Sequence, residues 1–165
     1  MLFRSITAPT ALALGEGWKR DDEDTYGELG FALTFAEWME VEDARKAAAG
    51  WGGDRSAVYS KGDEIAYAVH VRYDAATPKA DANAERAFSK IAPALKKSLA
   101  STKPSLSDAS TICFDRKDLG PLLFARKDRD LVMITGPAKI ASGTWSSTGT
   151  CATAKKWADE VSAQK

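Results

Sequence analysis

An α+β fold is what this sequence predicts: an antiparallel-rich sheet of four or five strands with helices packed mainly on one face. Three observations carry that reading. From residue 64 to 73, Ile65, Tyr67, Val69, Val71 and Tyr73 alternate with Ala66, Ala68, His70 and Arg72, the two-residue period of a strand with one face on a core. Two other stretches place apolar residues at helical spacing: Leu29, Ala32, Leu33, Ala36 and Met39 in one, and Ala84, Phe88, Ile91, Leu95 and Leu99 in the other. Finally, three short apolar runs at 111–115, 121–126 and 131–135 follow one another with only turn residues between them.

Taken in order, residues 1–14 do not read as a signal peptide. Arg4 would suit an n-region and Ala11-Leu12-Ala13 resembles a cleavage triplet, but Pro9 and two threonines interrupt the apolar part. Leu2-Phe3-Arg4-Ser5 is what a common sequencing adapter encodes when read through as coding DNA. Residues 1–14 are therefore expected to be an assembly scar or a disordered segment, with the natural protein extending further upstream. Residues 15–165 are expected to form a single domain.

The charge run at 19–24 reads as a solvated lead-in to a helix, and the spacing of Asp21-Asp22-Glu23-Asp24 is not that of a calcium loop. Thr25 followed by Glu28 makes a capping box, which predicts a helix start at Thr25 with acids at the positive end of its dipole. Phe31, Phe35 and Trp38 widen the stripe of that helix, so it is expected to be sandwiched or to present an apolar patch on this side. A second helix over 41–49 stops at Gly50. Trp51-Gly52-Gly53-Asp54-Arg55 then reads as a double-glycine turn feeding a strand at 55–60, a tight turn at Lys61-Gly62-Asp63, and the alternating strand. A hairpin alone is marginal in water, so neighbouring elements must cover it.

Beyond the hairpin, Thr77 is a cap and Pro78 a first helical residue, while Pro93 sits inside the helix and should kink it. Leu131-Val132-Met133-Ile134 is continuously apolar, which suits a central strand buried on both faces and ended by Gly136-Pro137. Residues 140–149 read as a Ser/Thr/Gly loop carrying Trp145. A final helix over 150–163 places Ala154, Trp157, Ala158 and Val161 on one side.

Composition narrows the function classes. The 165 residues are 44% apolar and 28% charged, which suits a folded domain rather than a disordered one. Lysine plus arginine and aspartate plus glutamate each number 23, so the basic excess of a nucleic-acid binder is missing. No apolar run approaches the roughly 20 residues that span a bilayer. The two cysteines, Cys113 and Cys151, admit two readings. Paired, they would close a loop worth on the order of 3–4 kcal/mol and imply an oxidising compartment; unpaired, they are ordinary buried thiols.

Candidates for chemistry are few. His70 is the single histidine, and neither H-E-x-x-H nor C-x-x-C occurs, so no metal ligand set and no cofactor motif can be named. His70 with Cys113 or Cys151 would be a nucleophile arrangement if the fold joined them; a structural histidine is the default. Gly52-Gly53-Asp54-Arg55 is not a phosphate cradle, because it leads from helix into strand rather than from strand into helix. Trp18, Trp38, Trp51, Trp145 and Trp157 could line a ligand groove or fill a core.

Gly17-Trp18, Asp24-Thr25-Tyr26-Gly27-Glu28-Leu29-Gly30 and, above all, Ala47-Ala48-Ala49-Gly50-Trp51-Gly52-Gly53-Asp54-Arg55 with Tyr59 resemble the C-terminal region of exported bacterial zinc-metallopeptidase-like proteins. The likeness extends through the hairpin and helix to about residue 136. In that group the H-E-x-x-H helix lies upstream, so no catalytic residue carries over to this chain. The resemblance implies a non-catalytic accessory or binding domain of an exported or surface protein. Its partner would be an upstream domain of the same parent or another protein. Two alternatives from other classes stand beside it: a small hydrolase-type enzyme using His70, and an apolar-ligand carrier with an internal cavity.

Overall fold

The computed structural model describes residues 6–74 and 81–164. A 3-10 turn at Leu12–Leu14 precedes β1 (Lys19–Asp24), α1 (Gly27–Ala36), α2 (Val41–Ala48), β2 (Trp51–Lys61) and β3 (Glu64–Tyr73). After α3 (Asp81–Ser98) come β4 (Leu106–Ser107), β5 (Thr111–Arg116), β6 (Gly120–Lys127), β7 (Asp130–Ala141), β8 (Thr144–Ser147) and α4 (Cys151–Ser162). The expected cap at Thr77 and Pro78 lies outside the described residues. α3 runs through Pro93 as one helix.

The α+β class holds, but among the described residues the sheet has eight strands rather than four or five, in the order β1-β2-β3-β7-β6-β5-β4 with β8 on β7. Every pairing is antiparallel. The sequence reading missed β1, β4 and β8. β1 is the charge run at 19–24, exposed throughout, so it shows no apolar alternation. Charge along an edge strand also discourages pairing with another chain. β4 is two residues long, and β8 falls in the stretch read as a loop. β7 continues through a cis Gly136–Pro137 bond instead of ending there.

Period two sorts the strand residues onto two cores. Val69, Val71, Leu131, Met133, Ile112 and Phe124 face α1, α2 and α3. Ala68, Val132, Ile134, Cys113 and Leu123 face α4 and the N-terminal segment. The run 131–134 is apolar without a break because β7 is covered on both sides, as a central strand requires.

α4 buries Ala154, Trp157, Ala158 and Val161, the four residues its periodicity singles out. Cys113 and Cys151 form a disulfide that ties the start of α4 to β5. Residues 6–14 do not stand apart from this layer. Ile6 and Ala8 are buried, Pro9 carbonyl accepts from the Tyr59 hydroxyl, and Thr10 carbonyl accepts from the Trp157 indole.

α1 corrects two expectations. It begins at Gly27, and the Thr25 hydroxyl makes no helix cap. Phe31 and Phe35 are buried, with Trp38 edge-on to Phe124 at 5.6 Å, so the Phe31/Phe35/Trp38 side is core rather than an open patch. The apolar residues left in solvent are on the other side, Leu29 and Leu33 at 70% and 65% exposure.

Candidate functional site

The Trp51–Arg55 block is a helix-capping device. Gly52 is not a turn residue but sits at a β-bulge where β2 meets β3. A Cβ there would lie 2.9 Å from the backbone nitrogen of Asp74, so only glycine lets the two strands approach. The bulge directs the buried Asp54 carboxylate at the start of α1. Oδ2 accepts from Tyr26 N at 2.8 Å, and Oδ1 accepts from Gly27 N at 3.0 Å and from Trp51 Nε1 at 2.8 Å. A carboxylate from β2 thus caps the first orphan amides of α1, in place of the Thr25 hydroxyl that the sequence predicts as the cap. Arg55 donates from Nη1 to the Thr25 hydroxyl at 2.8 Å.

His70 is 1% exposed. Its Nε2 lies 3.2 Å from Asp130 Oδ1 but out of line for a hydrogen bond, and neither ring nitrogen has a hydrogen-bond partner among the described residues. Asp130 is held instead by Arg72, its register partner on β3, whose Nε and Nη2 donate to the two carboxylate oxygens at 2.7 and 3.0 Å. Burial alone would push the Asp130 carboxyl up, but His70 and the Arg72 guanidinium outweigh it and hold the group below its ordinary value. The same pairing with Asp130 raises Arg72. Neither cysteine is a thiol, and their bond places Cys113 and Cys151 beyond use as a partner for His70. Among the described residues no three of His, Cys, Asp or Glu are gathered as ligands.

The tryptophans divide. Trp157 is fully buried, Trp38 and Trp51 pack against the helix-side core, and Trp18 packs against the α4 side. Trp145 on β8 is 37% exposed and lines a groove.

That groove exists because the three helices cover only part of their face of the sheet. Beyond their edge, Ile65, Tyr67, Leu119, Thr135, Trp145 and Arg116 enclose about 250 Å³ that is lined mainly by apolar atoms. Its floor includes Gly136, where a Cβ would lie 2.7 Å from the Ile65 carbonyl, so the adjoining strands are as close there as backbones allow. A second depression of about 300 Å³ adjoins it through Tyr67, bounded by Asp22, Glu23 and Asp24 of β1. The Tyr67 hydroxyl donates to that of Tyr26 at 2.6 Å, and burial raises its pKa.

Among the described residues, Arg116 is the one charged residue lining the 250 Å³ groove. Nε donates to Gly120 O at 3.1 Å and Nη2 to Thr135 Oγ1 at 2.7 Å, both neutral acceptors. No ion pair among the described residues includes it. Burial lowers its pKa, and Asp118, acting through space, only partly opposes this. The sequence reading placed Arg116 in turn material and did not single it out. The signal was present: Ile112, Phe114 and Arg116 share one parity on β5, so the charge had to project onto an apolar face.

No curated protein and no solved structure matches the chain. A family model described as a domain of unknown function, DUF8575, matches residues 13–143, which takes in β1 through the end of β7 and so the whole strand framework of the groove except β8. The chain therefore belongs to the DUF8575 family.

Proposed function

We propose that this chain is a non-catalytic binding domain of an exported or surface protein, and that it binds through the half of the sheet face that the helices leave open. The observation that carries the reading is the groove at Ile65, Tyr67, Leu119 and Trp145, an apolar concavity on a rigid sheet with a single charged group in it. Its walls come from β3, β5, β7 and β8 and from the β5–β6 turn, so strand pairing holds the shape before any ligand arrives. The exported setting is supported by the Cys113–Cys151 disulfide, which persists in oxidising compartments. No helix among the described residues is long and apolar enough to cross a membrane. The resemblance to the C-terminal region of exported zinc-metallopeptidase-like proteins belongs to the same proposal, as an accessory region that recognises rather than cleaves.

The runner-up, a hydrolase using His70, requires substrate to reach a side chain sealed at 1% exposure with both cysteines oxidised. A fragment screen read by amide chemical shifts of the whole chain tests the two. Binding hits that shift Ile65, Tyr67, Leu119 and Trp145 are expected. Hits that converge elsewhere, or a hydrolytic activity abolished by His70→Gln, would overturn the reading.

A further inference from the structure

Resting on the reading of the open half-face as a binding surface, we propose that the groove takes a small monocarboxylate with a short apolar body, its carboxylate on Arg116 and its body against Leu119, Trp145 and Ile65. Three observations fix the class of ligand. The first is charge. A guanidinium set into an apolar concavity and hydrogen-bonded to neutral oxygens is a cation with no carboxylate in ion-pair contact among the described residues, Asp118 acting on it only through space. Arg72, elsewhere on the same sheet, has a bidentate carboxylate, so the fold does supply such partners where they are structural.

The second is geometry. Nε donates to Gly120 O and Nη2 to Thr135 Oγ1 and, at 3.5 Å, to Leu119 O, which orients the guanidinium plane and, among the described residues, leaves the Nη1 donors for a ligand. One positive charge without an ion-pair partner matches one negative charge, which favours a carboxylate over a doubly charged phosphate. The third is size and lining. At about 250 Å³ the groove is slightly smaller than the ~300–1,000 Å³ of most small-molecule sites, so the apolar body is short. Ile65, Leu119 and Trp145, each more than a third exposed, would lose apolar area to water when it binds.

Octanoate and its neutral isostere octanamide test this on the full chain with its disulfide intact. Amide shifts in the groove report the site, and titration reports affinity. Octanoate is expected to bind at least about tenfold more tightly than octanamide, as a charge-assisted hydrogen bond implies. Arg116→Gln should bring octanoate down to the octanamide level. Leu119→Glu should do the same from an exposed turn position, by offering Arg116 a carboxylate of the chain's own; this keeps the test decisive if Arg116→Gln fails to fold. Equal binding of both probes in the groove would overturn the carboxylate assignment while leaving the half-face reading intact. Octanoate affinity that survives both substitutions would also overturn it. Both probes binding away from the groove, or neither binding at all, would overturn the assignment, and the fragment screen alone would then decide the half-face reading.

Discussion

Arg72 and Arg116 occupy comparable positions and meet different fates. Each sits on a strand of the same sheet, partly withdrawn from water, with its guanidinium hydrogen-bonded to the protein. Arg72 faces Asp130 across the β3–β7 pair, and the carboxylate returns more to the guanidinium than burial removes. Arg116 has Thr135 and two main-chain carbonyls, and burial is the larger influence on it. A buried charge with its counter-charge in place is part of the architecture. One without it carries a desolvation cost that the fold offsets only in part, and a ligand can supply the rest. The two regions around these arginines differ accordingly: one sealed and cross-braced, the other an open apolar groove.

The contrast can be broken from the sealed side first. Replacing Cys113 and Cys151 together by serine frees α4 from β5 and should cost about 3–4 kcal/mol in a urea titration of the chain. Asp130→Ala leaves the Arg72 charge without its partner in a mostly buried site, and a loss of about 3 kcal/mol is expected in the same titration. Asp54→Ala strips the cap from α1 and leaves the Trp51 indole N–H unmatched, for about 2 kcal/mol, with the loss of helical circular dichroism signal preceding the global transition.

The pH response of the sealed region follows from its carboxylate. Asp130 titrates below the ordinary aspartate value of 3.8 in the folded protein. In the unfolded chain it takes up its proton near that value. Its contribution is therefore present above about pH 4 and is lost as pH falls through the lower folded pKa. Acid titration of stability should show this slope in the parent chain and a flatter curve for Asp130→Asn. The smallest effect belongs to the open side: Leu119→Ser, at an exposed turn position on the rim of the groove, should change stability by no more than about 0.5 kcal/mol.

How much of this was legible in the sequence depends on burial. β3, β5, β6 and the first part of β7 were readable because at least one face of each is covered, which imprints apolar residues at period two or in an unbroken run. α4 was readable to within a residue at each end for the same reason. β1 and β8 carry little apolar patterning because neither of their faces is sealed, so a run of acids and a run of Ser, Thr and Trp gave no sign of strand pairing. The cap of α1 failed for a different reason. Thr25 and Glu28 satisfy a local rule, but a more buried carboxylate, Asp54, reaches the Tyr26 and Gly27 amides from β2 and starts the helix there, and local spacing cannot register it. The groove escaped notice because it is assembled from positions far apart in the chain, Ile65, Arg116 and Trp145 among them. The block at Trp51–Arg55 drew attention as a motif, and its chemistry turned out to be that of a helix terminus.

The difference between the two arginines is most directly tested by melting Arg72→Gln and Arg116→Gln side by side at neutral pH. Arg72→Gln is expected to lower the Tm by several degrees, since about 2 kcal/mol corresponds to roughly 4–8 °C for a chain of this size. Arg116→Gln should stay within about 2 °C of the parent, because it removes a half-buried charge that has no ion-pair partner, together with its hydrogen bonds. If Arg116→Gln falls as far as Arg72→Gln, Arg116 is a structural brace, and the account of the open groove as a site awaiting a counter-charge is contradicted.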